Sequence, residues 1–220
     1  MDNSENIATP EKSIADLFHG MPSRHFPAKQ MLFYRGDEIS RIYYVVSGYV
    51  RMYTITNKGN ERTLTILGPG ESLPIIQTEK AEYFYDAITD VETVYGTLEE
   101  LIKRFLADPQ YMDVARASGV IMLKRMMEQM EILAGDTARE KIETMLAFLG
   151  KYYGEPVGEY HRLCFKITHQ ELGNLVNATR ETVSQNIAKL ERGKKIKTDK
   201  NGMYLVKVSD YLEDRSNPDG

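Results

Sequence analysis

Three features of this 220-residue chain predict an α+β protein. They are a glycine-punctuated series of short β-patterned segments, one long helical stretch, and a pair of capped helices followed by a basic hairpin. The predicted architecture is an N-terminal β-domain (a sandwich, jelly roll or barrel), a long helix with two apolar stripes, and a C-terminal winged helix-turn-helix. Expected boundaries are 1–108 for the β-domain with its N-terminal helix, 109–135 for the long helix, and 136–220 for the winged helix.

The β-pattern runs from Pro27 to Thr97. Gly36, Gly48, Gly59 and Gly70 stand beside polar turn residues at intervals of 12, 11 and 11. Between them lie β-prone runs: Ile42-Tyr43-Tyr44-Val45-Val46, Val50 to Ile55, and Thr63 to Leu67. Short strands at this spacing point to a sandwich, jelly roll or barrel.

The pattern turns helical from Pro109 to Ala134. One apolar stripe is Met112, Ala115, Gly119, Met122, Met126 and Leu133, with Gln129 completing the seam. A second stripe is Val120, Leu123, Met127, Met130 and Ala134. Two stripes on one helix imply two partners, the chain's own β-domain and a second copy. The dimer interface is assigned to the first stripe, where Ala115 and Gly119 allow close approach and Gln129 fixes register. A simple core helix is the alternative reading. Gly135-Asp136 then breaks the helix, and Thr137 with Glu140 forms a capping box that opens the next one, which continues to Gly154.

The most informative segment is Ile167 to Ile187. Thr168 and Glu171 form a capping box, and Leu172, Leu175 and Val176 give the first helix its buried face. Asn177 falls where the chain must turn, and asparagine tolerates the left-handed region. Thr179 caps a second helix that buries Val183, Ile187 and Leu190, leaving Arg180, Glu181, Ser184, Gln185 and Lys189 outward. Polar residues at such a helix start fit major-groove reading, whereas a core hairpin has no use for them. Lys194, Lys195, Lys197 and Lys200 surround an Asn201-Gly202 turn between Ile196 and the run Met203 to Val206, the signature of a wing. Residues 160–207 hold 10 Lys+Arg against 4 Asp+Glu, although the chain as a whole is at −4. Positive charge is therefore concentrated in the segment expected to meet phosphates.

The β-roll, long helix, hinge and winged helix, in that order, resemble the cyclic-AMP receptor/fumarate-nitrate-regulator (CRP/FNR) family of bacterial transcription factors. The resemblance extends from Phe26 to Asp210. It rests on Gly36-Asp37-Glu38, Tyr43 to Val50, Gly70-Glu71, and Ile167 to Val183, with Arg180-Glu181-Thr182-Val183 matching the start of the recognition helix. It implies a double-stranded β-helix of the jelly-roll, cyclic-nucleotide-binding-like kind for the β-domain, followed by a long dimerisation helix. It further implies base contacts from Arg180, Glu181 and Gln185, and phosphate contacts from Thr168, His169, Gln170, Thr179, Thr182, Ser184, Lys189 and Lys200. Double-stranded DNA carrying a palindromic operator, a second copy of the chain and RNA polymerase are the implied partners, in the cytoplasm. The surface for polymerase has no clear local signature.

Departures from the family pattern are equally specific. Where cyclic-AMP-binding members carry Gly-Glu-Leu and then Arg-Ser, this chain has Pro74-Ile75-Ile76 and Glu82-Tyr83. Ile75 cannot accept ribose hydrogen bonds, Glu82 repels a phosphate, and no arginine lies between Arg62 and Arg104. Control by cyclic AMP is therefore not expected. An unidentified small-molecule effector would have its pocket among Ser72, Ile75, Glu82, Tyr83, Tyr85, Met126 and Met130. The alternative is that alternation buries Phe84 and leaves the tyrosines at an edge. Gln185 stands where the cyclic-AMP receptor has arginine, so the half-site should differ from TGTGA at the position that arginine helps read.

Other classes fit less well. No run of about 20 apolar residues is available to span a bilayer, and the polar N-terminus is unlike a signal peptide. Cys164 is the sole cysteine, which excludes an internal disulfide framework, fits a reducing compartment and denies the chain an iron-sulfur cluster. It is expected within a buried strand, Leu163-Cys164-Phe165. None of His19, His25, His161 and His169 falls in the β-roll, so a metal-dependent cupin-like enzyme is disfavoured. No metal site or cofactor is expected. A ligand-binding or interaction module with a vestigial winged helix remains the alternative to a DNA-binding regulator.

Overall fold

The computed structural model describes residues 12–74 and 79–209. Ile75 lies outside them. A short helix α1 (Ile14–Leu17) precedes eight strands: β1 (Ser23–Phe26), β2 (Met31–Phe33), β3 (Ile42–Ser47), β4 (Val50–Ile55), β5 (Glu61–Leu67), β6 (Ser72–Leu73), β7 (Phe84–Ala87) and β8 (Val91–Gly96). They form two antiparallel sheets, ordered β1-β8-β3-β6 and β2-β7-β4-β5. Alternation decides what they enclose. Tyr43, Val45 and Val91 of one sheet meet Val50, Met52 and Tyr85 of the other in a common core.

The jelly-roll expectation holds, but the parity of one strand was open and resolves against burial of Phe84. Tyr85 is 1% exposed and packs edge-on against Phe33, while Phe84 lies outside, stacked on Tyr53. The β3–β4 turn depends on Gly48, whose φ of +86° lies in the left-handed region. A Cβ there would stand 2.1 Å from the carbonyl oxygen of Asp90.

After α2 (Leu98–Ala107), capped by Thr97 and Glu100, the 25-residue α3 (Gln110–Ala134) crosses the β-domain. At 100° per residue its two faces separate cleanly. Val114, Arg125, Glu128, Gln129 and Ile132 are buried against the chain itself. Met112, Val120, Leu123, Met126, Met127, Met130 and Leu133 form an exposed apolar face. The assignment of stripes is therefore corrected in part. Gln129 is not in an exposed seam, because its amide donates to the Leu64 carbonyl of β5 at 2.8 Å. Ala115 and Met122 are half-buried on the near flank, and Met122 packs on the β-core. Met112, Gly119, Met126 and Leu133 do face outward, joined by the second stripe.

Gly135 ends α3, and α4 (Ala138–Tyr153) follows with Thr137 accepting from the Glu140 amide at 3.1 Å. Half of the expected capping box is replaced: the Glu140 carboxylate accepts from Asp136 N–H rather than from Thr137 N–H. Beyond it come β9 (Gly154–Val157), β10 (Tyr160–Leu163), α5 (His169–Val176), α6 (Arg180–Arg192), β11 (Ile196–Thr198) and β12 (Tyr204–Val206). The four strands form a sheet ordered β11-β12-β10-β9. Strand β10 stops at Leu163, so Cys164 sits just past it, half-buried, with its N–H donated to the Tyr153 carbonyl. The C-terminal core joins Met145, Leu149, Leu172, Val183 and Leu190, and it incorporates Ile66 of β5.

Replacing Gly48 by alanine should cost on the order of 3 kcal/mol, since it combines a disfavoured φ with a backbone clash. Urea denaturation followed by circular dichroism measures the loss, and a Gly59→Ala control, with no neighbour within 4 Å of its Cβ, should lose less.

Candidate nucleic-acid interface

The interface is assembled by local hydrogen bonding at two helix starts. Thr168 N–H donates to the Glu171 carboxylate at 2.7 Å, and Glu171 N–H donates to Thr168 Oγ1 at 3.2 Å. Asn177 closes α5 in the left-handed region, at φ 56° and ψ 43°, as the sequence predicts. Thr179 accepts from Thr182 N–H at 3.2 Å and starts α6. What the sequence does not announce is Gly173. A Cβ there would come within 2.6 Å of the Ala178 carbonyl, so only glycine lets α5 approach the turn this closely.

Leu172, Leu175 and Val176 of α5 pack with Val183, Ile187 and Leu190 of α6. Burial of that face turns Arg180, Glu181, Ser184, Gln185 and Lys189 to solvent along one side of α6. Thr168, His169, Gln170 and Arg180 surround a common depression where the two N-termini converge. The first turn of α5 and the first residue of α6 thus share one depression, and helix N-termini favour bound anions such as phosphate. Some predicted contact residues are partly occupied. Gln170 Nε2 donates to Asn174 Oδ1 at 3.0 Å, and the Thr179 and Thr182 hydroxyls are 3.0 Å apart.

The wing follows directly. Its turn is organised by Asp199, whose carboxylate accepts from the N–H groups of Asn201 and Met203 at 2.8 and 2.9 Å. Gly202 supplies the left-handed residue. These backbone hydrogen bonds, with Arg162 nearby at 3.0 Å, hold the Asp199 carboxyl below its ordinary value. The lysine cluster is less free than composition implies. Lys195 pairs with Glu143, Lys207 pairs with Glu159 at 2.8 Å, and Lys197 lies 4.1 Å over the Tyr160 ring. Lys189, Lys194 and Lys200 remain exposed, as do Arg180 and Arg192.

The predicted effector residues do not come together. Tyr85 is in the β-core, and Met126 and Met130 are on the outer face of α3. Glu82 and Tyr83 line a surface depression with Arg35 and Lys80, while Ser72 lines a different cavity between the β-domain and the helices. Alternation and helical phase, which the motif alone does not specify, separate them. Among the described residues no cluster of three His, Cys, Asp or Glu could hold a metal, and no helix is long and apolar enough to cross a membrane.

Comparison with known proteins agrees with this arrangement. Residues 23–102 match the model for the cyclic nucleotide-binding domain, and residues 140–215 match the Crp-like helix-turn-helix domain. The chain belongs to the CRP/FNR family. The Global nitrogen regulator of Nostoc sp. is 24% identical over 91% of this chain and 96% of its own. The Cyclic AMP receptor protein of Thermus thermophilus is 28% identical over 77% and 82%. Among solved structures, FixK2 from Bradyrhizobium japonicum superposes with a TM-score of 0.74 over 88% of this chain and 96% of that one, at 18% identity, a likeness of fold. A CRP/FNR-family transcriptional regulator from Thermus thermophilus gives 0.65 at 25% identity over 87% and 97%. These relatives are regulators rather than enzymes, and the family assignment makes this CRP/FNR chain a DNA-binding transcriptional regulator.

The depressed Asp199 carboxyl has a defined pH consequence. Its contribution is present above the ordinary carboxylate value of 3.8 and is lost as pH falls through the lower folded value. The protection factors of the wing amides, their exchange rates relative to the intrinsic rate at each pH, should be unchanged from neutrality to pH ~5 and fall only below pH ~4. Asp199→Asn should show the reduced wing protection at every pH.

Proposed function

We propose that this regulator binds a palindromic DNA site as a homodimer, seated through α6 in the major groove, without control by cyclic AMP. The observation that carries the reading is the solvent-facing side of α6, Arg180, Glu181, Ser184 and Gln185, held rigid by a buried opposite face. Arg180 and Glu181 reach base edges, and Gln185 favours adenine where arginine would favour guanine. Thr168, His169, Gln170, Thr179, Thr182, Ser184, Lys189 and Lys200 hold the backbone phosphates, which fixes register without reading sequence.

Dimerisation is supported by the exposed face of α3. Met112, Leu123 and Met130 are 60%, 60% and 63% exposed, and the face runs the length of the helix. A contiguous apolar stripe of this extent marks an interface. Gly119, Met126 and Leu133 lie on it, so a second copy would pack there and place two recognition helices about 34 Å apart, one turn of DNA. Independence from cyclic AMP follows from side-chain chemistry. The segment that would clamp a cyclic phosphate offers Glu82, exposed and anionic, and no arginine. Bound at promoters in the cytoplasm, the dimer would act on RNA polymerase, with the α3–α4 junction setting the spacing of its two readers.

Selection from a random DNA pool by the purified protein, with no ligand added, should enrich one palindrome. Its half-site should depart from TGTGA at the position read by Gln185, and an unchanged half-site would refute that assignment. On the selected site, Arg180→Ala should cost about 1–3 kcal/mol and relax specificity, whereas Lys200→Ala should weaken all sequences alike and lower the salt slope by about one. Leu123→Glu should convert a dimer to a monomer in analytical ultracentrifugation. Added cyclic AMP should leave the DNA affinity unchanged.

A further inference from the structure

One sizeable cavity serves no part of the DNA-binding reading. It has a volume of about 650 Å³ and lies among α1, α2, the first half of α3 and the Gly68–Ser72 loop. That size suits a small organic ligand, for which pockets of roughly 300–1,000 Å³ are usual. Much of its wall is apolar, including Leu17, Phe18, Leu101, Phe105 and Met122. The mouth opens between α2 and α3, where Ile102 and Ile121 are exposed.

One end is polar and incomplete. Arg125 is 9% exposed and lines the cavity there. Of its three guanidinium nitrogens, Nη2 alone has a protein acceptor among the described residues, the Glu71 carboxylate. Nε is sealed within the protein and has no partner among the described residues. Nη1 is neither bonded to the described residues nor sealed off in this way, so an acceptor supplied from the cavity would meet a charged donor still free to pair. The neighbouring donors are already committed: Tyr152 hydroxyl to Glu128 at 2.6 Å and Tyr153 hydroxyl to the Ile66 carbonyl at 2.5 Å.

Charge decides the class of ligand. Arg125 is neutralised by Glu71, and Glu128 by Lys151 at 2.9 Å. A ligand anion would add an uncompensated charge next to the Glu71 carboxylate in an apolar cavity, and a cation would stand against Arg125. We propose that this cavity binds an uncharged, largely apolar small molecule that presents a carbonyl oxygen, or an equivalent acceptor, to Arg125. The site is separate from the outward face of α3 assigned to the second copy, except at Gly119 on its edge. It therefore stands or falls independently of the DNA-binding reading.

Three probes of similar size separate the contributions: benzylacetone, a neutral ketone; butylbenzene, with no acceptor; and phenylbutanoate, an anion. Saturation-transfer NMR on the full chain gives their relative affinities. Benzylacetone should bind about tenfold more tightly than butylbenzene, the value of one added hydrogen bond, and more tightly than phenylbutanoate. Ser118→Phe, which fills the cavity from an exposed position on α3, should abolish binding of all three. Arg125→Met with Glu71→Gln removes both charges together and should bring benzylacetone down to the butylbenzene level. Failure of every probe to bind would overturn the proposal, as would binding that survives Ser118→Phe. Preference for phenylbutanoate would overturn the uncharged class.

Discussion

Tyr153 is the point on which the three parts of the chain converge. It is the last residue of α4, and its hydroxyl donates to the carbonyl of Ile66 in β5. Its ring packs edge-on against Tyr49 of the β-domain and beside Phe165 of the DNA-binding unit, with the Arg125 guanidinium of α3 at 5.5 Å. Burial pushes its hydroxyl far above the ordinary tyrosine value, so it remains a donor throughout the physiological range. Its backbone carbonyl accepts from Cys164 and fixes where β10 ends. One side chain thus ties sheet, long helix and reader. Its neighbours Arg125, Glu71 and Glu128 are polar groups whose burial is tolerable only while they remain paired.

That junction also explains why the DNA-binding unit and the β-domain share a core through Ile66 rather than meeting through a loose linker. Rigid packing at the junction makes the direction of α4 depend on where α3 lies, because Lys151 and Tyr152 both reach Glu128 of α3. Paired polar groups as well as apolar packing therefore hold α4, and the unit carrying α5 and α6, against α3.

Much of the reader was legible in the sequence because its signals are local. Thr168 with Glu171, Asn177 and Thr179 each act within four residues, and the capping and left-handed geometry follow from those residue types alone. Glycine spacing similarly located the turns of the β-domain. Long-range placement was not legible. Gln129 fits a heptad seam on paper, but helical phase over 25 residues carries it to the β5 carbonyl of Leu64. Phe84 and Tyr85 are adjacent and aromatic, so strand parity alone chose which is buried. The Arg125 cavity draws on α1, α2, α3 and a loop some fifty residues upstream, a grouping with no sequence motif. The wing lysines looked uniformly available because acidic partners such as Glu143 and Glu159 come from outside the hairpin.

The outward face of α3 is rich in one kind of side chain. Met112, Met126, Met127 and Met130 are all exposed there. Unbranched thioethers have three rotatable bonds and a polarizable sulfur, so they refill gaps that a β-branched side chain would leave open. A surface built of them accepts a neighbouring helix at several rotations with little difference in packing energy. In the proposed dimer such a seam would behave as a bearing rather than a lock, and small turns of one helix on the other would cost little.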